Sequence, residues 1–245
     1  MKKIDFSQYA PKEGEVLILK SLPADLKAQG GFQWPESGYV EAPDWNIKPE
    51  CGGGLHGWLW GQGDASLRCR DEDTRWIVAS THHLGTIDLE GKVKVRHCEV
   101  KFCGDRETAV AIISHFAPAG TPVIFGTATA GDRGTATAGD MGTATAGDRG
   151  TATAGDMGTA TAGDRGTATA GDRGTATAGY MGTATAGYMG TATAGLYGII
   201  VIEYYDSGRN LYLKKMAFID GIEYLPGIEY RISNNAEFEA VNNNS

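Results

Sequence analysis

The chain has 245 residues, 36 of them glycine and only 8 proline, and its 30 acidic against 22 basic side chains give a formal net charge of −8. Proline does not recur with glycine every third residue, which excludes collagen, and no apolar run is long enough to cross a bilayer as a helix. The acidic balance argues against direct nucleic-acid binding, which needs a basic face, and suits a basic protein partner better.

In chain order, the opening MKKIDFSQYAPKEGE carries two lysines with no apolar segment behind them. The expectation is a cytoplasmic protein without a membrane partner. EVLILKSL (15–22) reads as a strand, and TRWIVAS (74–80) and VKVRHCEVKF (93–102) alternate as half-buried strands do. His82 and His83 follow as a polar turn. DRETAVAIISHF (105–116) has helical spacing, with acidic residues early and His115 late, as the helix dipole favours. Trp34, Trp45, Trp58, Trp60 and Trp76 add apolar mass. Residues 1–125 are therefore expected to form a mixed α/β domain that also caps the segment beginning at Gly126.

The cysteines, Cys51, Cys69, Cys98 and Cys103, all lie in this first half, and cytoplasmic thiols are normally reduced. Cys51, His97, Cys98 and Cys103 can be combined on paper as four zinc ligands. The C-x4-C spacing has no second close pair, however, so free thiols and no metal are expected. In CGGGLHGWLWG (51–61), Cys51 and His56 stand five apart in a glycine-rich turn. That spacing allows a nucleophile and its base, but no orienting acid is assignable. The glycines are not followed by the Gly-Lys-Ser/Thr of a phosphate loop, and no cofactor is indicated. The Cys-x3-Leu-His-Gly pattern, with Gly104 and Asp105 further on, loosely resembles small uncharacterised domains of bacteria and their phages, a resemblance that implies no activity.

From Gly126 to Gly195 the hexapeptide GTATAG occurs nine times with a period of eight and no insertion. The dipeptides between copies are Asp-Arg, Asp-Met, Asp-Arg, Asp-Met, Asp-Arg, Asp-Arg, Tyr-Met and Tyr-Met. A disordered linker has no need of fixed register. Two glycines per octad disfavour helix by about 1 kcal/mol each, and threonine favours extended backbone. Each octad is therefore expected to be a short strand and a turn, stacked on its copies as a β-solenoid. In the turn, the glycine of Ala-Gly-Asp-x is expected to take positive φ and the aspartate to cap. Two octads would close a flattened coil of sixteen residues, and three a triangular one. Arg133, Arg149 and Arg165 recur every sixteen, with Met141 and Met157 between them, which favours sixteen and suggests one Arg-bearing and one Met-bearing face. Arg173 breaks that pattern. Nine octads would make 4.5 coils, about 20 Å tall.

Within Thr-Ala-Thr the threonines point one way and the alanine the other. Alanine inside is preferred, because buried hydroxyls would each need a partner. The surface array is then Thr127 and Thr129, Thr135 and Thr137, Thr143 and Thr145, Thr151 and Thr153, Thr159 and Thr161, Thr167 and Thr169, Thr175 and Thr177, Thr183 and Thr185, and Thr191 and Thr193. Asp132, Asp140, Asp148, Asp156, Asp164 and Asp172 would form acidic columns. Tyr180, Met181, Tyr188 and Met189 would cluster as a contact patch, with a homo-oligomer as its consequence.

The units AGYMGTAT at 178–185 and 186–193 resemble the AGYGSTxT octads of bacterial ice-nucleation proteins. The resemblance covers the repeat region alone. Most octads here carry aspartate where that family has tyrosine, and glycine replaces its serine. The resemblance implies a β-solenoid with water-ordering positions at Thr183, Thr185, Thr191 and Thr193, and tyrosine-ladder members at Tyr180 and Tyr188.

After the repeat, GIIVIEYYDSGRNLYLKKMAFID reads as two strands around Asp206-Ser207-Gly208. Short strands are expected around Tyr224 and Tyr230, and fraying from Val241 in the tail VNNNS. Residues 196–245 are expected to cap the solenoid, because a bare coil would pair with other chains. The fold class expected is thus mainly β: a solenoid over 126–195 between an α/β domain and a β-hairpin cap. The function expected is a non-enzymatic binding or scaffold protein with a protein partner. The alternatives are an ice-binding protein, a phage-type inhibitor that mimics nucleic-acid charge, and an enzyme built on Cys51 and His56.

Overall fold

The computed structural model describes residues 4–241, so Asn242 to Ser245 of the tail expected to fray lie outside the described residues. The chain divides between Ile124 and Phe125 into two compact units. Segment 196–241 is therefore continuous with the repeats rather than a separate piece.

In the first unit the strands are β1 (Glu15–Leu22), β2 (Gly38–Glu41), β3 (Leu55–Leu59), β4 (Arg75–His82), β5 (Thr86–Asp88), β6 (Val93–Val95) and β7 (His97–Gly104). They form one sheet in the order β2-β7-β4-β1-β3-β6-β5, and every pairing is antiparallel. The run 93–102, expected as one strand, breaks at Arg96. β6 pairs with β3 and β5, whereas β7 pairs with β4 and β2. Helix α1 (Arg106–Phe116) begins where the Asp105 carboxylate accepts from the Thr108 N–H at 2.8 Å, and it stops at Ala117 before Pro118. Its buried face, Ala109, Val110, Ile112 and Ile113, packs on β1, β4 and β7. Alternation along β1 gives Leu17 and Leu19 to one face and Ile18, Lys20 and Leu22 to the other. The second face also buries Trp34, Leu55, Val93 and Val95.

The second unit is a β-solenoid of about five turns with about 16 residues per turn. Its strands are β8 (Thr127–Ala130), β9 (Thr135–Thr137), β10 (Thr143–Ala146), β11 (Thr151–Ala154), β12 (Thr159–Ala162), β13 (Thr167–Ala170), β14 (Thr175–Ala178), β15 (Thr183–Ala186) and β16 (Thr191–Ala194), followed by β17 (Ile199–Asp206), β18 (Leu211–Phe218), β19 (Tyr230–Ile232) and β20 (Phe238–Ala240). Alternate octads belong to opposite sheets, and each residue pairs in parallel with the one sixteen further on, as Thr143 does with Thr159 and Thr151 with Thr167. The interior is alanine: Ala144, Ala152, Ala160, Ala168, Ala176, Ala184 and Ala192 are fully buried.

The turns differ from the sequence expectation. Positive φ falls on Arg133, Met141, Arg149, Met157, Arg165, Arg173, Met181 and Met189, at 54° to 59°, and not on the repeat glycines. In Gly147-Asp148-Arg149-Gly150 the Gly150 N–H donates to the Gly147 carbonyl at 3.1 Å, so Arg149 is the second central residue of a β-turn, the place where type II turns need positive φ. The glycines are required for closeness instead. A Cβ on Gly147 would lie 2.3 Å from Asp132 Oδ1 and 2.7 Å from the Asp132 nitrogen of the coil before it. A Cβ on Gly150 would lie 2.8 Å from Ala146 Cβ.

The cap grows from the coil without a break. β17 continues the parallel register, Ile199 beside Thr183 and Ile200 beside Ala184, and replaces alanine with the fully buried Ile200 and Ile202. The expected hairpin then reverses direction, β18 pairing antiparallel with β17 across the Asp206-Ser207-Gly208 turn. On the other sheet β19 meets β16 antiparallel at Tyr230 and Ala192, with β20 beside it. Tyr224 lies in a turn rather than the short strand expected there. Its N–H, with those of Ile222 and Glu223, donates to Asp220 Oδ1, which commits this backbone to a local turn.

Gly147→Ala should lower solenoid stability by about 1–3 kcal/mol, the usual cost of overpacking. A Cβ on Gly131, in the first turn, meets nothing within 4 Å, so Gly131→Ala should fall within about 0.5 kcal/mol of the parent. Thermal unfolding followed by circular dichroism checks the pair, and equal melting temperatures for the two variants contradict the stacking account.

Candidate functional site: threonine faces, turn edges and an N-terminal cleft

The two solenoid sheets carry threonine on their outer sides, and no repeat threonine is buried. One sheet aligns Thr127, Thr143, Thr159, Thr175 and Thr191 in one column, and Thr129, Thr145, Thr161, Thr177 and Thr193 in the next. The other aligns Thr135, Thr151, Thr167 and Thr183, and beside them Thr137, Thr153, Thr169 and Thr185. Threonines two apart on a strand stand about 6.7 Å apart, and coils repeat at about 4.8 Å. Each face is thus a two-dimensional lattice of hydroxyl and methyl groups. Near the cap the lattice is engaged: Thr191 Oγ1 bonds Thr175 Oγ1 at 3.2 Å and meets the Glu229 carboxylate.

The dipeptides stand on the two turn edges, between the faces rather than on them. Asp132, Asp148 and Asp164 share one edge with Arg133, Arg149 and Arg165. Asp140, Asp156 and Asp172 share the other with Met141, Met157 and Arg173. Each aspartate performs a specific backbone task. The N–H of Asp148 donates to Asp132 Oδ1 at 3.1 Å, that of Asp164 to Asp148 Oδ1 at 2.9 Å, and that of Tyr180 to Asp164 Oδ1 at 2.8 Å. The second edge repeats this from Asp140 to Asp156, Asp172 and Tyr188. The carboxylates thus satisfy N–H groups of the next coil instead of capping their own turn. As a mimic of phosphate charge they are compromised, since one edge sets three aspartates against three arginines.

The expected contact patch is split. Eight residues are half a coil, so Tyr180 and Met181 lie on one edge and Tyr188 and Met189 on the other. Each tyrosine starts its own aromatic chain: Tyr180 to Tyr197 at 5.8 Å and on to Phe218, and Tyr188 to Tyr212 at 5.4 Å and on to Tyr205.

In the first unit a cleft of about 900 Å³ is lined by Cys51, His56, Lys20, Lys27, Arg68, Lys92, Asp44 and several apolar groups. Cys51 is exposed and His56 half-buried. Burial, then the charges of Lys92, Lys20 and Lys94, push the His56 pKa down to about 4. A neutral imidazole that resists protonation is a weak base, and its buried Nε2 has no hydrogen-bond partner among the described residues. The paper zinc set is dispersed: Cys51 is exposed, Cys98 is buried in the sheet with its thiol pushed up to about 12 by burial, and Cys103 lies beside Arg75. His97 stacks on Tyr39 at 5.7 Å. Among the described residues no group of three or more His, Cys, Asp or Glu could hold a metal ion.

Sequence reasoning missed Lys94. It reads as the solvent side of the alternating Val-Lys-Val, yet it is fully buried. Its ammonium donates to Asn46 Oδ1 and the Glu50 carbonyl, both at 3.1 Å, and to the Gly52 carbonyl at 3.3 Å, and it lies 5.8 Å from the Trp45 ring centre. This lysine pins the 46–52 loop that leads into the cleft wall.

Comparison with protein-family models, with curated proteins and with solved structures finds no match to this chain.

Asp148→Ala strands the Asp164 N–H and should cost about 1 kcal/mol, whereas Asp148→Asn keeps an acceptor and should cost less; denaturant unfolding of both variants checks the ladder. His56 yields a pH prediction. Its folded pKa of about 4 lies below the ordinary 6.5, so between these values the unfolded chain binds a proton that the folded chain refuses. Stability should therefore fall as pH drops through this window, and His56→Gln should make that fall shallower in chemical unfolding at a series of pH values.

Proposed function

We propose that the protein is a non-enzymatic binding protein whose solenoid acts as a rigid display scaffold for a protein partner. The supporting observation is the outward threonine lattice on both faces, in register from coil to coil over a fully buried alanine interior. Such a surface has fixed spacing and little conformational freedom to lose, since threonine is held stiffly at χ1. Rigid, preorganised surfaces bind at lower entropic cost. The suppressed basicity of His56, which outweighs the charge of nearby Asp44, and its buried Nε2 without a hydrogen-bond partner among the described residues favour binding over chemistry in the first unit.

A second reading rests on the same lattice. Paired threonine columns, with hydroxyl and methyl groups at about 4.8 by 6.7 Å, can order a water layer, so the faces would bind ice. The similarity of AGYMGTAT to ice-nucleation octads supports this reading from the sequence side.

One set of variants separates the two. Thr143, Thr145, Thr159 and Thr161 lie together on β10 and β12 of one sheet. Replacing all four with lysine should leave the fold intact, because none is buried. Thermal hysteresis in the parent that is lost in the variant selects the ice reading. A partner captured by the parent and lost from the variant, without hysteresis in either, selects the scaffold reading. Parent and variant that behave alike in both assays exclude a role for this face.

A further inference from the structure

The cleft of the first unit has a charge opposite to that of the whole chain. Its walls carry Lys20, Lys27, Arg68 and Lys92 against the single carboxylate of Asp44, in a protein of net charge −8. The three lysines among them are poorly compensated, while Arg68 donates to the Ala65 carbonyl at 3.1 Å. Lys20 Nζ donates to the neutral His56 carbonyl at 3.1 Å and sits 5.2 Å from the Trp34 ring centre. The Lys92 side chain has no hydrogen-bond or ion-pair partner among the described residues. Among the described residues Lys27 is paired with Asp25 alone, at 3.7 Å and largely exposed. Burial first, and the neighbouring positive charges second, disfavour further protonation in the site. Burial and the Lys92 charge push the Lys20 pKa down to about 8, and burial with the Lys92, Lys20 and Lys94 charges suppresses protonation of His56.

An apolar patch accompanies the charge. Phe32 is half-buried, and Leu67 is 49% exposed at the wall. One side of the cleft is held by the buried Lys94, which fixes the Glu50 and Gly52 carbonyls. The volume of about 900 Å³ lies within the ordinary range for small-molecule sites, about 300–1,000 Å³. A concave, partly apolar site with convergent cations and shifted titration is the usual form of a ligand pocket.

We propose that this cleft binds a small organic anion, a phosphate or carboxylate group seated among Lys20, Lys92 and Arg68 with its apolar part against Phe32 and Leu67. The threonine lattice plays no part in this site, so the inference is independent of the function proposed for the solenoid. A nucleic acid fits less well, because it needs a basic track beyond one cleft.

The test uses the full chain with phenyl phosphate, benzoate and inorganic phosphate as probes, and phenol as the uncharged control, read by calorimetry and by tryptophan fluorescence from Trp34 and Trp58 in the wall. Phenyl phosphate or benzoate should bind more tightly than both phenol and inorganic phosphate, and more weakly as salt is raised. Whichever of the two binds better identifies the headgroup. Lys92→Glu should weaken binding by about tenfold or more, equivalent to about 1.4 kcal/mol, while Lys214→Glu on the second unit should not change it. Lys92→Ala, a milder change, should weaken binding in the same direction and guards against misfolding of the first variant. Dissociation constants above about 10 mM for both organic anions, equal affinity for phenol, or unchanged affinity in both Lys92 variants overturns the proposal. Tighter binding of an acidic peptide or an oligonucleotide than of either small anion overturns it as well.

Discussion

The solenoid depends on the fit of one coil's turn onto the next. A turn has backbone N–H groups that no sheet ladder serves, and buried or crowded N–H groups left without acceptors are costly. In the interior coils these groups are served by the coil on either side or within the turn. In the turn around Asp148, the Gly147 N–H reaches Ala130 O, the Asp148 N–H reaches Asp132 Oδ1, the Arg149 N–H reaches Asp164 O and the Gly150 N–H closes on Gly147 O. Aspartate is therefore a structural member of each edge, and the two glycines flanking Asp-x keep successive turns close enough for these bonds to form. Alanine methyl groups fill the interior of the repeat coils, and isoleucine takes the equivalent inward positions only where the cap begins, at Ile200 and Ile202.

Much of this architecture is legible in the sequence. A period of eight without slips, β-branched threonine and alternating Thr-Ala fix the strands, the inward alanines and the outward hydroxyls. The sixteen-residue spacing of Arg133, Arg149 and Arg165 announces the coil. The turn chemistry is less legible, because glycine has two physical uses and the sequence does not say which applies. Positive φ is its familiar use, yet Arg149 and Met157 take that role at moderate cost while the glycines give clearance. The split of Tyr180 and Met181 from Tyr188 and Met189 follows directly from eight being half of sixteen.

The N-terminal unit is legible in its strands and helix and opaque in its cleft. β1 and α1 match their periodic signals, and Asp105 stands at the helix start. Lys94 escapes because alternation tells which face a residue occupies, not whether a loop later covers that face. Residues 44–54 cover it, and a lysine expected in water becomes the anchor of a glycine-rich wall. Lys20 escapes likewise: within EVLILKSL it looks like the end of an apolar run, whereas the fold brings it to Trp34 and His56, which are remote in sequence.

The pairing of every residue with its counterpart sixteen positions on constrains how this array can change in length. Adding or removing two octads together leaves each cap strand against its present neighbour, Ile199 still beside a threonine of the same sheet. Adding or removing a single octad exchanges the two sheets for everything downstream. β17 would still pair with the octad before the last and β19 with the last, so both cap strands would meet the same Thr-Ala-Thr-Ala partner on the other sheet. The cap therefore reads its two nearest octads and not their number, so the array can lengthen or shorten in steps of eight residues while its register is kept.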